Sequence, residues 1–241
     1  MHIHNKYCVN VTIIHRINNT HNLMEIINFA KQKSLVSKFM MELRNVDIQR
    51  DKMRFRRNLE RIGEVMAYEI SKRLDYAATA TTTPLGTVQC DDIASQVVLA
   101  TILRAGVPFH QGFLNYFDDA QNAFVSAYRK YKPHSDVFDI HIEYIACPRI
   151  TGKTVIIADP MLATGSSMEL AYQALLTKGK PAHVHIAAVI ASQQAIDFVQ
   201  KHFPEETTTV WVGAIDPSLN QHSYIVPGLG DAGDLAYGDK E

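Results

Sequence analysis

Between residues 47 and 74 the apolar positions Leu59, Ile62, Met66 and Ile70 recur at three- and four-residue steps, with polar residues between them. That spacing lines one stripe of a helix and predicts a single long helix over 47–74. From residue 95 the pattern changes. Short runs rich in Val and Ile, at 97–103, 123–128, 140–145, 155–158, 183–191 and 208–214, read as strands, while 168–176 and 195–202 keep a helical spacing. The run at 155–158 is apolar at consecutive residues, which suits a strand covered on both faces, as in a parallel sheet. From 155 to 214 the order is β-α-β-α-β. This predicts an α/β fold with a mostly parallel central sheet flanked by helices. No internal repeat and no long linker divides the chain, so residues 24–241 read as one domain behind a leader of residues 1–23.

Composition narrows the class. The chain has 241 residues, 46% hydrophobic and 20% charged, with a net charge of −1. There is enough apolar surface to fold, which excludes disorder as the main state. The overall charge gives no argument for a nucleic-acid partner. The longest apolar stretches, 97–103 and 186–191, are too short to span a bilayer, so no membrane role is expected. Cys8, Cys90 and Cys147 are odd in number and far apart, with no C-x-x-C pair. That favours a reducing, cytoplasmic setting over a disulfide framework. The leader lacks a signal-peptide pattern, because Ile13-Ile14 runs straight into His15-Arg16. Its His2, His4, His15 and His21 lack carboxylate or Cys partners at ligand spacing, so it reads as a poorly ordered polar tail rather than a metal cluster.

Charge is unevenly spread. Residues 37–74 hold ten Lys/Arg against six Asp/Glu, and 204–241 hold seven acids against one lysine. The basic run, centred on Arg50–Arg61, is open to two readings: an anion-binding or interface surface, or a solvated helix face.

Three segments carry chemistry. The first, 154–167 (TVIIADPMLATGSS), is a buried strand, an acid at its carboxyl end, a loop of small residues and then a helix. Ligands of open α/β sheets bind outside strand carboxyl ends, and a helix N-terminus favours an anion. The other reading is a Ser/Thr helix cap beside a structural Asp. The second, 102–106 (ILRAG), sets Arg104 immediately after a strand, either as a fixed charge in a crevice or as a side chain reaching out to solvent. The third, 224–234 (YIVPGLGDAGD), packs three glycines and a proline into eleven residues. Such a loop can read a planar heterocycle with its backbone, or be a plain surface turn with solvated acids.

Together and in this order the three segments resemble the uracil phosphoribosyltransferase family, over roughly residues 34–241. The resemblance implies a type I phosphoribosyltransferase fold with a small hood over the base. It also implies the reaction uracil + 5-phospho-α-D-ribose 1-diphosphate (PRPP) → UMP + diphosphate, with Mg²⁺ entering as the PRPP complex. In that reading Asp159, Pro160, Met161, Leu162, Ala163, Thr164, Gly165, Ser166 and Ser167 form the PRPP loop. Asp159 takes the ribose hydroxyls, and the residues from Ala163 onward cradle the 5′-phosphate. Arg104 and Arg129 contact pyrophosphate, and residues 127–139 are the candidate lid. The Ile225 carbonyl and the Gly230–Asp231–Ala232 backbone hold uracil, with Asp231 also facing the ribose. Family members often carry Gly-Gly-Ser where this chain has Gly165-Ser166-Ser167. The resemblance adds GTP as a candidate effector and a homo-oligomer as the candidate assembly. A reading from a different class is a regulator that reuses this fold to bind RNA through the basic run.

Overall fold

The computed structural model describes residues 24–131 and 138–239. The leader therefore lies outside the described residues, as do 132–137 within the candidate lid. Twelve strands and six α-helices follow one another: β1 (Glu25–Asn28), α1 (Leu35–Arg44), α2 (Lys52–Ser71), β2 (Tyr76–Thr83), β3 (Gly86–Ile93), β4 (Val97–Leu103), α3 (Gly106–Leu114), β5 (Gln121–Tyr131), β6 (Phe138–Ala146), β7 (Thr154–Ala158), β8 (Met161–Leu162), α4 (Ser166–Leu176), β9 (His183–Ser192), α5 (Gln193–His202), β10 (Thr208–Asp216), β11 (Ser218–Leu219), β12 (Ile225–Val226) and α6 (Ala232–Tyr237).

The main sheet has the order β1-β10-β9-β7-β4-β5-β6, with β8 pairing β9. All its pairings are parallel except β5 with β6. The parallel strands are buried on both faces, and their side chains alternate between two cores. On one face Leu99, Ile156, Ala187, Val189 and Trp211 pack with α1, α2, α3 and α6. On the other, Val98, Ala100, Val155, Ile157, Ile186, Val210 and Val212 pack with α4 and α5. This two-sided burial is what the unbroken apolar runs required.

The expected helix over 47–74 starts later, at Lys52. The Asn45 side chain accepts from the N–H groups of Asp47 (2.9 Å) and Ile48 (3.1 Å), which turns the chain. Asp51 then caps the new helix by accepting from Arg54 N–H at 3.0 Å. Short polar side chains that bind nearby backbone compete with helix in this way. The apolar stripe itself is as expected, with Leu59, Ile62, Met66 and Ile70 fully buried.

The β2–β3 hairpin stands apart. It pairs only with itself, from Tyr76↔Ile93 to Thr83↔Gly86, and every one of its residues is exposed. A smaller ribbon, β11–β12, and α6 form a cap on the α2 side of the sheet, anchored by Ile225, Leu229, Ala232 and Ala236 in the first core.

Because Ile62 is fully buried in the middle of the α2 stripe, Ile62→Ala removes three carbons that the packed sheet cannot refill. Denaturant unfolding of that variant is expected to show a loss of about 2–5 kcal/mol. A loss under 1 kcal/mol would mean that α2 is not a core element.

Candidate active site

Strands β4 and β7 are parallel neighbours, with Thr101 level with Ala158. From β4 the chain passes through α3 to β5 on one side, and from β7 it passes through α4 to β9 on the other. The strand order thus reverses between them, and the crevice outside their carboxyl ends is where such sheets bind ligands. Thr101 Oγ1 donates to the Ala158 carbonyl at 3.3 Å and stitches the two ends together. The next residues are Arg104 on one side and Asp159 on the other.

Asp159 is half-buried. Its Oδ1 accepts from Met161 N–H at 3.2 Å, and its own N–H donates to the Ala187 carbonyl at 3.1 Å. Burial pushes its carboxyl up, to about 7, against the pull of the Met161 N–H. The loop behind it divides into a support and a half-buried crest. The Pro160 carbonyl accepts from Val189 and Ile190 N–H at 3.1 and 3.0 Å. Leu162 is buried in the second core, and the Ala163 carbonyl accepts from Ser192 Oγ at 2.5 Å. These residues hold the loop's shape rather than face a ligand with their side chains.

Thr164–Ser167 form the crest. Gly165 has φ +86°, and a Cβ there would meet the Phe198 ring at 2.6 Å. Only glycine fits both demands. As the N-cap of α4 it supplies no side-chain hydrogen bond. The hydroxyl that meets the first turn belongs to Thr164, one residue earlier, whose Oγ1 accepts from Ser166 N–H at 3.4 Å. The first-turn N–H groups, which have no intrahelical acceptor, face the crevice end of the helix, where the dipole favours an anion. Ser166 is the first residue of α4, and its N–H and hydroxyl sit 3.4 and 3.3 Å from Thr164 Oγ1. Its backbone is ordinary helix, so serine replaces the family's glycine there without strain.

The glycine-rich segment closes the other wall. Asp231 caps α6, its Oδ1 accepting from Gly233 N–H (2.8 Å) and Asp234 N–H (3.1 Å). Arg104 reaches this cap, with Nη2 2.9 Å from Asp234 Oδ1 and 3.4 Å from the Gly238 carbonyl. Ala232 N–H points at Met161 Sδ, 3.4 Å away, so the two loops touch. Thioether sulfur is a weak acceptor that a better one displaces easily. Gly230 has φ +92°. Arg104, Asp159, the Thr164–Ser167 crest and the 225–232 loop thus converge on one crevice.

For Arg129 the backbone alone speaks. It pairs across to Ile140 on β6, beyond Ser126, the last residue of β5 paired with β4. β5 and β6 therefore run on as a two-stranded extension past the carboxyl end of β4. That ribbon is the described part of the candidate lid.

The sequence-level reading missed Asp234 as the partner of Arg104, and missed Arg44 and Asp216 altogether. Arg44, at the end of α1, meets Asp216, at the end of β10, with Nη1 at 2.8 Å and Nη2 at 2.7 Å. Local sequence holds no signal for a pair 172 residues apart.

The family model for uracil phosphoribosyltransferase matches residues 30–239. The chain belongs to the uracil phosphoribosyltransferase family. Curated members similar to it include the enzyme of Porphyromonas gingivalis, 64% identical over 217 residues, covering 90% of this chain and all of that one. The Pyrococcus furiosus member is 37% identical, covering 85% of this chain and 86% of its own. The Sulfolobus acidocaldarius member is 34% identical, covering 87% and 99%. A solved protein from Aquifex aeolicus superposes with a TM-score of 0.79 at 29% identity, over 88% of this chain and 98% of that one. The expected type I phosphoribosyltransferase architecture stands. No helix among the described residues is long and apolar enough to cross a membrane.

The pH dependence of stability tests the setting of Asp159. Its folded-state value near 7 lies above the unfolded value of about 3.9. Ionisation therefore favours the unfolded chain, and stability falls as pH rises from about 4 through 7. Asp159→Asn removes that loss. Thermal melts are expected to show a gain in Tm that is larger at pH 8 than at pH 5. An equal change at both would mean that the carboxyl is solvated.

Proposed function

We propose that this crevice transfers the phosphoribosyl group of PRPP to uracil, giving UMP and diphosphate, in pyrimidine salvage in the cytoplasm. The observation that carries the assignment of roles is the convergence at the β4/β7 switch point. It joins one cation, one half-buried carboxylate, one helix N-terminus entered through a glycine and one backbone-rich loop.

The roles follow from charge and shape. Thr164–Ser167 take the 5′-phosphate on first-turn N–H groups and hydroxyls. Asp159 accepts from the ribose hydroxyls. As the C1′–O bond breaks, positive charge grows on the ribose and negative charge on the departing diphosphate. Arg104, with its side chain 39% exposed beside Asp234, stabilises the leaving charge, and Arg129 assists from the β5 extension. Preorganised cations at a developing charge are the largest lever available. Uracil presents O2 and O4 as acceptors and N3–H as a donor, which the Ile225 carbonyl and the Gly230–Ala232 backbone complement. Binding exchanges the Ala232 N–H···Sδ contact for a stronger one. Asp231 is the candidate, by its position in this loop, to accept the N1 proton that uracil must lose.

Mg²⁺ suits the donor set as a substrate-borne ion. Asp231 and Asp234 are half-buried beside Arg104, and Mg²⁺ takes one or two carboxylates together with substrate phosphates. Bound with PRPP, it would neutralise part of the diphosphate charge. Cytoplasmic work is supported by the free thiols of Cys90 and Cys147.

The assembly we favour is a homo-oligomer built through the β2–β3 arm. An isolated two-stranded ribbon is marginal in water. This one carries Leu85 at 99% exposure, with Val88, Tyr76 and Ile93 also exposed. A second copy of the chain is the partner that would cover it. Replacing Leu85 and Val88 together by Asp is expected to shift sedimentation toward monomer. An unchanged sedimentation coefficient would remove the arm from the contact.

The direct assay is diphosphate release from PRPP and Mg²⁺ with uracil, cytosine, orotate, hypoxanthine or adenine, with and without GTP. Uracil alone is expected to turn over. Cytosine reverses the polarity at N3 and position 4 and leaves buried groups unpaired, a mismatch that rejects analogues by about 10⁴-fold. Arg104→Ala should cut kcat about 10²–10³-fold, while Gly230→Ala should raise KM for uracil more than for PRPP. Equal efficiency with cytosine and uracil would overturn the assignment of the base loop.

A further inference from the structure

The base-reading loop is a loop without regular structure, yet its function depends on backbone groups held to within tenths of an ångström. Something must fix that backbone. The described residues show what does so at Gly228. Its N–H donates to Asp216 Oδ2 at 2.8 Å, and its carbonyl accepts from Arg44 Nη1 at 3.0 Å. The same Nη1 donates to Asp216 Oδ2 at 2.8 Å, and Nη2 donates to Oδ1 at 2.7 Å. Arg44, Asp216 and the Gly228 peptide groups thus form a closed ring of charge-assisted hydrogen bonds. Gly228 itself has φ +63°, and a Cβ on it would collide with the Ile225 carbonyl. The clamped residue therefore lies directly against the oxygen assigned to uracil.

A second strut comes from the same stretch of chain. Buried Gln49 donates through Nε2 to the Arg44 carbonyl at 3.3 Å, and its Oε1 lies 3.9 Å from where a Cβ on Gly230 would sit. The anchors are rigid elements on either side. Arg44 ends α1, where a cation suits the helix dipole, and Asp216 ends β10, level with Ser192 on β9. Burial pushes the Asp216 carboxyl up. The hydrogen bond from Arg44, that from Gly228 and the Arg44 charge together outweigh it, and hold the acid below the usual carboxylate range.

We infer that Arg44 and Asp216 are positioning residues that set uracil affinity and base selectivity by fixing the Gly228 peptide. This rests on the reading of residues 225–232 as the base site. Neither residue reaches the 5′-phosphate crest, so PRPP handling should be untouched. The guanidinium fork is what the clamp uses. Lysine keeps the charge next to the buried acid but cannot span both carboxylate oxygens and the Gly228 carbonyl at once.

The test is steady-state kinetics on Arg44→Lys, with Gly230→Ala alongside. Arg44→Lys leaves Asp216 a cationic neighbour, so the chain is expected to fold, which thermal melts check. KM for uracil should rise roughly three- to tenfold, the worth of one displaced hydrogen bond. KM for PRPP should stay within about twofold, and kcat at saturating uracil should change little. The cytosine-to-uracil efficiency ratio should rise. Arg44→Ala should go further in the same direction, since lysine restores only charge. If it does not fold, Asp216→Asn, which keeps an oxygen for Gly228 N–H, supplies the second reading. An unchanged uracil KM with a lowered Tm would overturn the inference and leave the pair purely structural. If Gly230→Ala also leaves uracil KM unchanged, the base-loop assignment itself has failed. If only Gly230→Ala raises it, the failure belongs to the clamp.

Discussion

The site depends on two parallel strands that lie side by side while their chains leave in opposite directions. At the carboxyl ends of β4 and β7 no crossover helix can cover the sheet, because α3 and α4 depart on opposite faces. That geometry opens a crevice without any residue being spent on shaping it. The Thr101 hydroxyl bonded to the Ala158 carbonyl keeps the two ends level, and Arg104 and Asp159 follow directly on β4 and β7. The rest of the site is brought to this point. Helix α4 delivers its N-terminus because β7 precedes it, and the 225–232 loop arrives from β10, the strand after next across the sheet.

The same crevice is where the free protein is least at ease. Asp159 carries a carboxyl that its surroundings would rather protonate, and the N-cap of α4, Gly165, supplies no side-chain hydrogen bond. Arg104 is held by Asp234 at 2.9 Å, a half-exposed pair of the kind that contributes little to stability. A phosphorylated sugar would answer each of these: hydroxyls for the acid, phosphate for the helix N-terminus, diphosphate for the arginine. The loop's interior atoms, the Pro160 and Ala163 carbonyls, are thoroughly bonded. Rigidity behind the crest keeps the first-turn donors aimed outward.

Much of this was legible in the sequence because it is local. Unbroken Val/Ile runs mark strands buried on both faces, and the β-α-β-α-β succession allows few arrangements. All six expected strands fall within observed ones, with ends displaced by a few residues. The three chemical segments could be read because each sits at a strand end or helix start, where loop residues face ligands. What could not be read is non-local or lies off the sheet. The β2–β3 arm has no alternating apolar face, and among the described residues all of its positions are exposed. The start of α2 was set by an Asn45 turn that helical spacing does not register. Arg44 looked like one more cation in a basic stretch, and its partner lies on the far side of the chain.

That basic stretch shows how a charge count changes meaning in three dimensions. Arg44 is committed to Asp216 and Gly228, and Arg54 lies 3.6 Å from Glu42. Arg56 donates to the Ala236 carbonyl at 2.7 Å and supports the end of α6. Arg57 pairs with Glu60 and Glu64, and Arg61 reaches Asn58 while lying over the Phe39 ring. A phosphate backbone needs cations that are free to shed their counterions to it. Five of these guanidinium groups instead face acids, carbonyls, amides or rings of their own molecule. Arg44 ties α1 to the segment proposed to read the base, and Arg56 ties α2 to the end of α6. Arg44–Asp216 joins the basic stretch to an acid of 204–241, whereas the acids facing Arg54 and Arg57 lie within 37–74 itself. These five cations of the basic run already face partners in their own molecule, which leaves less of it to offer a nucleic acid.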